Sequence, residues 1–116
     1  AFSLMVKVSL QAAEKLARDG IEAEVIDPRT ACPLDEEIIL ESLKKTGRLV
    51  VVDEDTPLCS LAHDVAALAA DRGFSSLKAP VKCVTPPNTP VPYSPQMEGF
   101  YMPNAAKIAA AVKEIL

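Results

Sequence analysis

The chain has 116 residues, 49% hydrophobic and 24% charged, with a formal net charge of -4. That supports one domain with one core, and not two. No Lys/Arg cluster offers a phosphate backbone a seat, and no apolar run approaches the roughly 20 residues that cross a bilayer, so neither nucleic acid nor membrane is an expected partner.

The chain opens on "AFSLMVKVSLQAAEKL", with no initiator Met and no signal-peptide pattern. It runs straight into a helix, so a first strand, or a whole upstream domain, is expected ahead of it. Met5 to Arg18 is helical in pattern: Val6, Leu10, Ala13 and Ala17 recur at three- and four-residue spacing, and Gly20 closes the run. "AEVID", Ala23 to Asp27, reads as a strand stopped by Pro28. Asp35 can cap a helix through Lys45, which Gly47 ends. "RLVVVD" is continuously apolar before its acid, as in a strand buried on both faces of a parallel sheet. A third helix spans roughly Ser60 to Arg72, and "APVKCV" is a weaker strand. Residues 85–103 are too Pro-rich for a helix or a central strand. With Val91, Tyr93, Met97, Phe100, Tyr101 and Met102 as anchors, they read as an ordered strap. Asn104 caps a last helix that buries Ile108, Val112 and Ile115 or Leu116. This alternation implies a single α/β domain over 1–116 with a mainly parallel sheet.

Asp27, Asp53, Glu54 and Asp55 follow strands, where open α/β sheets place ligands. A catalytic carboxylate needs a tuning partner, and none falls at a telling spacing, so loop and cap roles are expected. His63 is the only histidine, and Asp64 beside it points elsewhere on the helix, which favours a surface role. Cys32, Cys59 and Cys83 form no CxxC and read as reduced thiols, Cys83 in the core. The four glycines include no GxGxxG or P-loop, so nothing in the chain holds a diphosphate. No catalytic, cofactor-binding or metal residue is assigned.

Three motifs, "EVIDPRT..PLD", "KKTGRLVVVDE" and "APV...TPVPYSP..E", stand in order across much of the chain. In them the chain resembles the C-terminal domain of the transketolase superfamily, and most closely the β subunit of the E1 component of 2-oxo acid dehydrogenases (pyruvate, branched-chain or acetoin type). The resemblance implies a three-layer α/β/α domain with about five mostly parallel strands, the first of them lying ahead of "AFSLM". Parent enzymes of this kind use thiamine diphosphate and Mg²⁺ to decarboxylate a 2-oxo acid and pass the acyl group to the lipoyl arm of E2. The implied role here is non-catalytic assembly. Implied partners are an E1 α subunit, a second E1 β subunit and the E2 subunit-binding domain, in the cytoplasm or the mitochondrial matrix. The E2 surface carries over to Leu77, Lys78, Ala79 and Pro80 and to the chain end, Glu114, Ile115 and Leu116. Where several relatives have an acid, Lys78 reverses the charge and would repel a basic partner. Arg29 is an interface-positioning candidate. Two other readings stand beside this one: transketolase proper or deoxyxylulose-phosphate synthase, and a free-standing small-molecule-binding module.

Overall fold

A computed structural model describes residues 1–116. In chain order it holds α1 (Leu4–Arg18), α2 (Glu36–Thr46), β1 (Val50–Val52), α3 (Leu61–Arg72), a 3-10 turn (Phe74–Ser76), β2 (Lys82–Val84), α4 (Pro95–Tyr101) and α5 (Ala105–Glu114). The strands pair in parallel, with Val50 opposite Lys82 and Val52 opposite Val84. A parallel pair needs a crossover, and α3 supplies it.

The side-chain alternation of β1 sets the layers. Val52 joins Met5 and Ala12 of α1 and Ala105 and Ile108 of α5 in one apolar cluster. Val51 turns the other way, to Ile39 of α2 and Ala62 and Val65 of α3. Helices therefore cover both faces, and β1 must be apolar on both, as the unbroken valine run requires.

The helix starts follow from their caps. Asp35 accepts from the Ile38 N–H at 3.2 Å. Ser60 Oγ accepts from His63 at 3.4 Å, and Asn104 accepts from Ala106 and Lys107 at 3.1 and 3.0 Å. Each satisfies donors that the first helical turn leaves open.

The sheet pairs two strands in parallel, β1 and β2. Two expectations are corrected. Ala23–Asp27 is not a strand, because it meets no ladder partner: its one backbone bond is a donation from the Ala1 amine to Ile26 O at 3.0 Å. The Pro-rich strap does contain a helix, α4. Pro95 occupies its first turn, where the absent N–H costs nothing, and Gln96 to Tyr101 are free of proline. Only part of the strap's apolar set anchors it. Tyr101 is buried and its hydroxyl donates to Thr89 O at 3.1 Å, and Met102 is half-buried. Tyr93, Phe100, Val91 and Met97 remain exposed.

Gly47 ends α2 in the left-handed region, φ 76°, with its N–H donating to Leu43 O at 2.7 Å. A Cβ there would also meet Lys78 Cδ at 2.6 Å, because the lysine stem lies across the turn. Gly47→Ala should therefore lower stability by about 1–2 kcal/mol, the left-handed cost plus displacement of the stem. Urea denaturation of Gly47→Ala, alone and with Lys78→Ala, separates the two. The double variant recovers only the steric share.

Candidate functional site

The sheet's two ends differ in chemistry. At the carboxyl ends of β1 and of residues 22–26 stand the acids. Asp27 accepts from the Arg29 N–H at 3.2 Å, and its other oxygen pairs with Arg29 Nε at 2.9 Å. Arg29 has φ 64°, so this turn is held in the sparsely used left-handed region by that pairing. Asp53 is buried and accepts from the Asp55 N–H at 3.3 Å, while Asp55 accepts from the Thr56 N–H at 2.7 Å. These carboxylates brace their own loops, and no three His, Cys, Asp or Glu side chains converge in a set that would hold a metal ion.

His63 is exposed on α3. Cys59 is exposed one residue before the Ser60 cap. Cys83 is half-buried with Sγ 3.7 Å from Ala62 O, and burial pushes its thiol pKa up, away from the reactive thiolate.

At the opposite, amino end of the sheet lie the two segments expected to form a docking surface, each bonded to a strand start rather than to the other. The Lys78 N–H donates to Gly47 O at 2.8 Å, which fixes the run into β2 beside the turn before β1. Lys78 and Pro80 are exposed and Ala79 is half-buried. Lys82 Nζ pairs with Glu114 at 2.8 Å, and Arg48 Nε donates to Ile115 O at 2.6 Å and Nη2 to Leu116 O at 3.2 Å. Leu116 is exposed, whereas Ile115 is buried. Arg29 lies at the other end. Sequence reasoning passed over Arg48 and Lys82, and read Gly47 only as a helix stop. Arg48 and Lys82 are ordinary strand-start residues whose partners lie 67 and 32 positions away.

The Ala1 amine sits at the acidic end. Burial lowers its pKa below the ordinary 8.0, and the charges of Asp27 and Asp53 oppose that shift.

A family model described as transketolase, C-terminal domain, matches residues 1–108. The β subunit of acetoin:2,6-dichlorophenolindophenol oxidoreductase from Cupriavidus necator is 51% identical over 115 residues, 99% of this chain and 34% of the relative. The 2-oxoisovalerate dehydrogenase β subunit of Bacillus subtilis is 44% identical over 98% of this chain and 35% of its own length. The pyruvate dehydrogenase E1 component β subunit of Rickettsia bellii is 41% identical over 98% and 35%. The chain thus spans about a third of the length of these curated relatives.

Proposed function

The chain belongs to the transketolase C-terminal domain family, and on that premise we propose that it is the assembly domain of an E1 β subunit in a thiamine diphosphate-dependent 2-oxo acid dehydrogenase. The observation that carries this reading is agreement over nearly the whole chain with β subunits of acetoin, 2-oxoisovalerate and pyruvate enzymes. In the assembled subunit the sheet has about five strands. The domain packs on an E1 α subunit and a second β subunit, with Arg29 and its turn facing a neighbouring domain. Three free cysteines suit a reducing compartment, cytoplasm or matrix.

The cofactor of such an enzyme does not fit this chain's residues. There is no glycine-rich cradle for a diphosphate and no converging metal-ligand set. Thiamine diphosphate and Mg²⁺ belong to other domains, and this one contributes shape and contacts.

The amino end of the sheet is the E2 docking surface in this reading. Lys78 is exposed there, Lys82 is half-neutralised by Glu114, and Leu116 offers an apolar contact. A lysine at Lys78 discriminates against a basic partner and favours one with an acid opposite it.

Dye-linked oxidation of acetoin, pyruvate and 2-oxoisovalerate tests the assignment. The full-length β subunit with its α partner should turn over one of the three. Residues 1–116 alone, given thiamine diphosphate and Mg²⁺, should give none, and turnover by the domain alone overturns the assembly reading. Calorimetry against an E2 subunit-binding domain tests the docking surface. Lys78→Glu should change affinity by roughly fivefold at low salt, tighter for a basic partner and weaker for an acidic one. An unchanged affinity for both removes Lys78 from the surface.

A further inference from the structure

The Pro-rich strap is fixed at its base and loose along its length. Pro86 and Pro103 are buried at its two ends. Beside the second, Tyr101 is buried and Met102 packs on the cluster that Val52 and Ala105 share. Residues 87–100, between these anchors, include no buried side chain. Tyr93 is 103% exposed and Phe100 87%, so hydrophobic burial holds almost none of this stretch in place. Glu98, its single charged residue, is in no ion pair.

The strap's own helix cannot supply what burial does not. α4 is seven residues long, and so short a helix is marginal without tertiary support. The Ser94 side chain at its start makes no cap bond, and its hydroxyl donates to Gln96 Oε1 at 2.9 Å instead. Gly99 stands inside α4, where glycine weakens a helix, and a Cβ there would meet nothing within 4 Å. No close neighbour, then, requires that glycine.

The hydrogen bonds of residues 87–102 mostly close on the segment itself. The Thr89 N–H donates to Pro87 O, the Tyr101 hydroxyl to Thr89 O and the Met102 N–H to Glu98 O. Only two bonds join it to the rest of the domain, and one side chain makes both. Lys107 Nζ, from the first turn of α5, donates to Phe100 O at 2.8 Å and to Met102 O at 3.1 Å. These carbonyls lie at the C-terminal end of α4, where acceptors stand open and the helix dipole favours a cation. The Asn104 cap accepts the Lys107 N–H at 3.0 Å, so the start of α5 holds the lysine in position.

We propose that residues 87–102 form a hinged arm latched to α5 by Lys107. With the latch closed, α4 is wound and Met97 and Phe100 stand three residues apart on one helical face. With it open, α4 unwinds and the arm swings on Pro86 and Pro103, while the two core clusters stay packed. Tyr101 closes the arm's inner loop, and Lys107 alone ties that loop to the body by polar contact.

Amide hydrogen exchange of residues 1–116 tests this, read at Glu98 and Met102 in the arm and along α2 and α3 in the body. Lys107→Met keeps the stem and removes the donors. It should speed exchange at Glu98 and Met102 roughly tenfold, the effect of about one net hydrogen bond to a charged group. The amides of α2 and α3 should not change. Lys107→Arg keeps the charge and should restore most of the protection. Lys113→Met removes an equally exposed pair, with Asp19, and should leave the arm as it is. Chymotryptic cleavage after Tyr93 and Phe100 should follow the same order among the variants. Unchanged exchange at Glu98 and Met102 in Lys107→Met overturns the latch, as does an arm already unprotected in the parent chain. Equal acceleration in α2 and α3 overturns the hinge, because the arm then opens only with the whole domain. An equal effect from Lys113→Met, or no recovery with Lys107→Arg, overturns the specific role of the Lys107 charge. None of these readouts depends on turnover or on a partner.

Discussion

Three valines hold this domain together. Val51 and Val52 face opposite sides of the sheet, and each is nearly inaccessible to solvent, at 2% and 3%. The four longer helices dock on one or other of the two clusters that these residues found. Burying such a side chain contributes about 1.5–3 kcal/mol, far more than any of the exposed ion pairs around it. The pairs from Glu24 to Lys45, from Asp19 to Lys113 and from Glu36 to Arg72 order the periphery. The strand and its two clusters decide where that periphery goes.

The helices were legible in the sequence because their signals are local. Asp35, Ser60 and Asn104 each stand where a cap is needed, and Gly47 and Gly73 stand where α2 and α3 stop. Gly73 has a second reason to be glycine: a Cβ there would meet Leu43 Cδ2 at 2.5 Å, across the contact between α2 and α3. That reason is not legible, because it depends on a residue 30 positions away. The strand at Ala23–Asp27 was misread for a similar cause. Its composition suits a strand, but pairing is a property of the neighbour, and its neighbouring slot is open. In the strap, composition overruled position. Proline excludes helix from the interior, not from the first turn, and Pro95 takes that turn.

The sheet's polarity separates the domain's two kinds of surface. The carboxyl end gathers acids that bond to their own loops, and there Arg29 pairs with Asp27 while its side chain stays largely exposed. The amino end gathers Lys78, Arg48, Lys82 and the last residues of α5, with contacts that cross between elements. The sequence placed candidate residues at both ends but could not show that Arg48 and Lys82 tie the end of α5 to the starts of the two strands.

The grip of Arg48 on the last two carbonyls has a mechanical consequence. Helix ends ordinarily fray, because their final carbonyls lack partners. Here the guanidinium fork clamps those carbonyls to the residue two before β1. The last turn of α5 is therefore tied to the approach to β1 across 67 positions of sequence, so a change at Arg48 is felt at Ile115 and Leu116.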